Sequence, residues 1–328
     1  MMTKTQSVFY QFILIMTVLL TSSIGASVVS ADENNTLIKV TVLGSGSPVP
    51  SSTQFGAAML VQAGGKNMMF DCGRGCTTRL AQLNKRLITK VDHLFITHLH
   101  SDHLMGIDDL WLNGWVQGRK VPLKTWGPTG TNDMMEGIRT AFKRDIAYRT
   151  NDKVPAPSAG LDNAFTDMPF KGGVMVDDGG VKVSAFLVDH ASIIPAYGYK
   201  IEYNGRSVVI SGDTTTTKSL YEQGKGVDVL MLEVLSPSTI DYLHSIFNDK
   251  QTSKVIGYHM TADQTADILA ATKPRLGVYY HTDNSEKSAK SLLSATEKVY
   301  EGPVIVSHDL LQISIGDKVL TQDRGTVN

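Results

Sequence analysis

The chain has 328 residues, 42% of them hydrophobic, with 29 glycines, enough apolar material for one large core or two smaller ones, and a globular protein is expected. Lysine plus arginine (31) nearly balances aspartate plus glutamate (32), so the overall charge calls for neither a nucleic-acid nor an acidic-membrane partner. With only two cysteines, Cys72 and Cys76, a cysteine-only zinc site is excluded.

At the N-terminus, Lys4 precedes the apolar run "VFYQFILIMTVLL", which gives way to "VVSA" and then to the acidic "DENN". That is the layout of a secretory signal, with cleavage expected after Ala31. The run is shorter than the ~20 residues of a spanning helix, so export to the periplasm or medium is expected rather than stable membrane insertion. The domains expected are thus a signal at 1–31 and one domain at 32–328.

Residues 37–44, "AAMLVQA" and "NMMFDCG" read as three strands, followed by a helix through "TTRLAQLNKRL". Cys72 reads as a buried strand-end thiol and Cys76 as a small helix-start residue, although export makes a local disulfide chemically allowed. "VDHLFITH" is the next strand and "GIDDLWLNGWVQ" the next helix, with Asp108 and Asp109 as first-turn charges. From about Val121 to Gly173 the composition suggests an irregular insertion around one helix, "NDMMEGIRTAFKRD". Strands resume with "VKVSAFLVDH", then a hairpin turning at Asn204–Gly205, then "VDVLMLEVL". "ADQTADILAATK" is a helix that Pro274 ends, "RLGVYYH" a strand, "SAKSLLSATEKVY" a helix and "VIVSHDLLQISI" a final strand or pair. Strand-rich halves each closed by helices imply two sheets face to face with helices outside.

The densest chemistry is "HLHSDH", residues 98–103. His98 and His100 alternate at a strand end and point to one face, where they can grip one metal; Asp102 and His103 lie just beyond and can grip a second. Further ligands are expected where other strands end: His190, Asp213 and His281. Imidazole with carboxylate suits zinc, with iron or manganese as alternatives. His93, His244 and His308 are assigned structural roles.

The cluster, together with "VTVLGSGSPVPS", "MMFDCGRG", "SGDT" and "HMTADQTADILAATKPRLGVYYH", resembles the metallo-β-lactamase superfamily, and within it the ribonuclease Z-like branch that also contains exported arylsulfatases. The resemblance runs from about Leu37 to Ile315. It implies an α/β fold, the αββα four-layer sandwich, with two divalent metal ions. Carried over, it gives His98, His100 and His190 to one metal, Asp102, His103 and His281 to the other, and Asp213 to both. His259 matches a histidine that the branch uses near the scissile group, and Glu233 falls where the branch carries a strand-end glutamate, read here as an outer partner.

The branch's tRNA-processing enzymes commonly carry a glycine- and proline-rich arm between the positions matching His190 and Asp213, and here only a hairpin fills that interval. Export, near-neutral charge and the missing arm give the expectation of an exported hydrolase of small anionic esters with no nucleic-acid partner. A sulfuric ester hydrolase of arylsulfatase type stands first, a phosphodiesterase of cyclic nucleotides or small diesters second, and a lactonase third. Water activated between the metals is the expected nucleophile, with Asp102 orienting it and His259 as acid or oxyanion partner. Oligomeric state is left open, a homodimer included.

Overall fold

The computed structural model describes residues 36–325, so the expected signal lies outside the described residues. In chain order the elements are β1 (Ile38–Gly44), β2 (Ala58–Ala63), β3 (Lys66–Phe70), α1 (Cys76–Leu83), β4 (His93–Phe95), α2 (Ile107–Val116), β5 (Leu123–Gly127), α3 (Thr131–Ala141), α4 (Lys143–Asp152) and β6 (Asn163–Asp167). There follow β7 (Gly173–Asp178), β8 (Val181–His190), β9 (Ile193–Tyr203), β10 (Arg206–Ile210), α5 (Lys218–Gly224), β11 (Val229–Glu233), α6 (Pro237–Ile246), α7 (Asp249–Ile256), α8 (Ala262–Thr272), β12 (Leu276–Tyr280), α9 (Glu286–Glu297), β13 (Val304–Val306), β14 (Leu311–Ile315) and β15 (Val319–Asp323).

Among the described residues the strands form an eight-stranded sheet, ordered β15-β14-β1-β2-β3-β4-β5-β6, and a seven-stranded sheet, ordered β13-β12-β11-β10-β9-β8-β7. Side chains that alternate along a strand serve two different cores. Phe95 and Met231 point between the sheets, where they join Val40, Phe70, Tyr199 and Val278. Their neighbour Leu94 packs outward under Leu80 and Trp111 of α1 and α2. Leu230 and Leu232 pack outward under Ile268 and Leu292 of α8 and α9. Covering both faces of both sheets explains why these strands read as continuous apolar runs, and it yields the expected αββα sandwich.

Strand direction decides where the chemistry gathers. β3, β4, β5 and β6 pair in parallel, as do β10, β11, β12 and β13. Two antiparallel steps, β8 to β9 and β9 to β10, leave β8 running with β10. The C-terminal ends of β8, β10, β11 and β12, which deliver His190, Asp213, Glu233 and His281, therefore share one sheet edge. Backbone bonds from Tyr197 to the Thr97 carbonyl and from Thr282 to the Ser45 carbonyl tie the two sheets together there, at 3.0 and 3.1 Å.

Several local expectations change. The Val121–Gly173 interval supplies two strands of the eight-stranded sheet and two helices instead of an irregular loop around one. "VIVSHDLLQISI" splits between sheets, β13 in one and β14 in the other. Cys72 and Cys76 are paired as a disulfide with Cα atoms 5.6 Å apart, within the reach such a bond needs, so neither is the free thiol expected. The hairpin at Asn204–Gly205 forms as read, both residues at positive φ (47° and 75°) as its tight turn requires. Among the described residues no helix is long and apolar enough to cross a membrane.

Candidate metal centre

β4 ends at Phe95, so His98 and His100 are not on a strand; they sit on the loop that follows, before a short 3-10 turn at Ser101–His103. Strand alternation therefore does not account for their meeting. Hydrogen bonds behind the rings do. His98 Nδ1 lies 3.0 Å from Thr97 Oγ1, and Thr97 is held through its backbone N–H and its hydroxyl by Asp71, at 2.8 and 2.9 Å. His190 Nδ1 donates to the Tyr258 carbonyl at 2.9 Å, and His103 Nδ1 donates to Asp71 Oδ2 at 2.8 Å. Each bond fixes one ring nitrogen and turns the other, Nε2, inward.

The inward atoms converge in two groups. His98 Nε2 and His190 Nε2 lie 2.9 and 3.2 Å from His100 Nδ1. His281 Nε2 is 3.0 Å from Asp102 Oδ2 and 3.2 Å from His103 Nε2. Asp213 stands between the groups, its Oδ2 3.8 Å from His98 Nε2, 3.3 Å from His103 Nε2 and 3.7 Å from His281 Nε2. The residues expected as ligands are thus brought together, His98, His100, His190 and Asp213 in one group and Asp102, His103 and His281 in another.

These residues fit divalent cations. Ligand atoms about 2.1 Å from a tetrahedral ion stand roughly 3.4 Å apart, close to the separations found here. Asp213 Oδ1 is buried without a hydrogen-bond partner, as is His281 Nδ1. Burial takes the His98 imidazole well below its ordinary value and His190 down to about 4, so both offer a lone pair. Burial also works against ionised Asp102 and Asp213, but the surrounding histidines prevail, holding Asp102 at about 2 and Asp213 well below the carboxylate range. His103 and His281 go the other way: burial opposes charge on these rings, but Asp213, with Asp71 beside the first and Asp102 beside the second, outweighs it and raises both, so a cation bound there replaces protons.

Backbone at the strand ends is unusual. Asp71, Ala191, Gly212 and His281 all have positive φ (55°, 52°, 63° and 53°), a conformation that costs a non-glycine residue and clusters where side chains must be aimed. Sequence reasoning missed Asp71. The signal was present, since Asp71 ends the apolar run "NMMF" just as Asp213 ends "VVISG".

His259 lies between α7 and α8 rather than after a strand. Its ring centroid is 5.1 Å from that of His190 and 6.1 Å from that of His281, above both groups. Its Nδ1 is 3.3 Å from Glu233 Oε2 and 3.9 Å from Asp213 Oδ2. Burial opposes charge on this ring, but the Glu233 and Asp213 carboxylates outweigh it and raise His259 to about 9. Glu233 is fully buried, and its Oε1 accepts the Met260 N–H at 3.0 Å, which seats the turn bearing His259. The remaining histidines stay apart: His93 stacks on Trp126, His244 lies beside Asp249, and His308 Nδ1 donates to the Asp309 carbonyl.

Two histidine and aspartate groups at one edge of an αββα sandwich define a metal-dependent hydrolase of the metallo-β-lactamase fold. The family model described as "Anti-Pycsar protein Apyc1" matches residues 38–297, and the chain belongs to that family. It is 32% identical over 247 residues to a protein of Mycobacterium marinum named ribonuclease Z, covering 74% of this chain and 84% of the relative. Human tRNase Z, short form, superposes with a TM-score of 0.60 at 22% identity, over 84% of this chain and 99% of that one. The Bacillus subtilis metallo-β-lactamase fold protein YhfI gives 0.61 at 17% identity, over 84% of this chain and 98% of that one. At these identities the two structures bear on fold alone.

The expectation of a sulfuric ester hydrolase is corrected by these relatives, whose name is that of a nuclease. The exclusion of a nucleic-acid partner falls with it. Net charge and a missing arm bear on how firmly a long polyanion is gripped, whereas the bond a site cleaves is decided at the ligand cluster.

Proposed function

We propose that the chain is a divalent-metal phosphodiesterase that hydrolyses phosphodiester bonds of ribonucleotide substrates, the class to which ribonuclease Z relatives direct attention. The observation that carries this reading is Asp213 within 3.8 Å of ring nitrogens of both ligand groups, with the His259–Glu233 pair 3.3 Å apart above them. Two divalent cations, zinc by the donor set, would be held by His98, His100, His190 and Asp213 and by Asp102, His103, His281 and Asp213. Such cations acidify water and neutralise charge on a phosphoryl group. Asp102 would orient the attacking water. His259, paired with Glu233, would hold a non-bridging oxygen or give a proton to the leaving oxygen.

The purified zinc-loaded protein is assayed on a precursor tRNA with a 3′ trailer, on methyl 4-nitrophenyl phosphate and on 4-nitrophenyl sulfate. Cleavage of the phosphodiesters is expected. Turnover of the sulfate with neither phosphodiester cleaved overturns the proposal.

We also propose export, on the sequence of residues 1–31. N-terminal sequencing of the periplasmic or secreted protein should begin at or near Asp32, and an intact Met1 chain in the cytosol would contradict it.

A further inference from the structure

The disulfide between Cys72 and Cys76 lies against the turn that carries Asp102 and His103, and the chemistry above gives it no part. Both cysteines are fully buried. Cys72 follows Asp71; its backbone N–H donates to the His103 carbonyl at 2.8 Å, and its own carbonyl accepts the Gly106 N–H at 2.9 Å. His103 is thus held twice, at its ring by Asp71 and at its backbone by Cys72. Cys76 begins α1 and belongs to the core under that helix, so the bridge fastens the residue that grips His103 to a packed element.

The nest has no slack. A Cβ at Gly73 would collide with the Asp102 carbonyl oxygen, and one at Gly106 would stand 2.8 Å from Cys76 Sγ and 2.5 Å from the Gly73 carbonyl oxygen, so residues 72–76 and 101–106 meet backbone to backbone. Two thiols need more room than one bridge, because unbonded sulfurs keep van der Waals distance. That room has to come from the turn that carries the Cys72 N–H. With a sequence separation of four, the bridge closes a short loop and removes less of the unfolded chain's freedom than a long one would, so its larger effect is on local order.

We infer that the Cys72–Cys76 bridge is a redox latch on the metal centre: with the bridge closed the Asp102–His103 turn is ordered to receive its cation, and with two thiols in its place that cation is held more weakly. Closing the latch passes two electrons and both thiol hydrogens from the cysteines to a low-molecular-weight disulfide, which leaves as two thiols. Because both sulfurs are buried, the latch is set as the chain folds. The inference rests on the two-metal reading of the site. Together with the proposed export, it makes the hydrolase ready to hold its metals in an oxidising compartment and slow to hold them in a reducing one.

The test unfolds the purified protein, reduces it with tris(2-carboxyethyl)phosphine, which takes up the oxygen of a water molecule and leaves two thiols, and refolds it either without oxidant or with glutathione disulfide. Alkylation and mass spectrometry count the thiols, and competition against a chromogenic chelator reads zinc affinity. The oxidised protein should show no alkylated cysteine and should bind one of its two zinc ions roughly tenfold or more tightly than the reduced protein does. Glutathione disulfide added during a second refolding of the reduced protein should restore that affinity, and the Cys72→Ser, Cys76→Ser double variant should stay at the weaker value in either condition. Equal affinity in the two forms, two alkylated cysteines after oxidation, or a double variant that binds as tightly as the bridged protein overturns the inference. Absence of zinc binding by every form overturns the two-metal reading itself.

Discussion

Asp71 accepts from His103 Nδ1 at 2.8 Å while the same carboxylate takes the backbone N–H and hydroxyl of Thr97, so one buried group orients a ligand directly and supports a second, His98, through its neighbour. Asp71→Ala should lower zinc affinity on the order of 10- to 100-fold, the usual effect of losing an outer partner. Competition against a chromogenic chelator measures it, and unchanged affinity would remove Asp71 from the site's support.

Asp213 is the group proposed to touch both ions, since its Oδ2 approaches ring nitrogens of both groups within 3.8 Å. Elemental analysis should find close to two zinc ions per wild-type chain, and Asp213→Ala should weaken both sites together. A variant that loses a single equivalent and keeps the other at full affinity would show that Asp213 serves one ion only.

His259 belongs to neither of those two groups, although with Asp213 and His281 it makes a third set whose atoms lie close enough to share an ion. His259→Ala should retain its metals yet lose on the order of 10²-fold in kcat on phosphodiesters. If protonation of the leaving oxygen is its work, the loss should shrink as the leaving phenol becomes more acidic. Parallel loss of zinc and activity would make it a ligand instead.

Stability should fall in alkali through buried phenols, Tyr197 and Tyr199 among them. Burial raises Tyr197 to about 12 and Tyr199 well above the ordinary value near 10, and their hydroxyls donate to the Pro169 and Ile96 carbonyls at 3.1 and 2.7 Å. A folded value above the unfolded one contributes stability that is complete below about pH 10 and is lost as pH rises toward the folded value. Urea midpoints should drop between pH 9.5 and 11.5, and Tyr197→Phe with Tyr199→Phe should drop less. Equal losses in wild type and double variant would assign the alkaline transition to other groups.

Strands buried on both faces announced themselves as apolar runs, and each proposed ligand outside "HLHSDH" follows such a run, which is why His190, Asp213 and His281 were legible without coordinates. Inside that segment the same residues come together, but not by the strand geometry expected of them. His98 and His100 meet because Thr97 and the Tyr258 carbonyl turn the rings of His98 and His190 toward His100, contacts between residues up to 90 positions apart that no local pattern encodes. β5 and β6 were missed because each is only five residues long and Leu123–Gly127 lies between Pro122 and Pro128, in a stretch whose prolines and glycines read as loop. The bond between Cys72 and Cys76 was misread because a spacing of four allows a free pair as readily as a bridge. The nucleic-acid exclusion failed for a different reason: whole-chain charge averages over a surface, whereas the ligand cluster is local.

The central claim is that this cluster directs water to phosphorus, and hydrolysis of methyl 4-nitrophenyl phosphate in ¹⁸O-labelled water tests it most directly. Mass spectrometry of the zinc-loaded enzyme's product should show methyl phosphate carrying one ¹⁸O atom, with label absent in the Asp213→Ala control, which turns over too little to form it. Unlabelled methyl phosphate, or none after prolonged incubation with the two-zinc enzyme, would contradict the account.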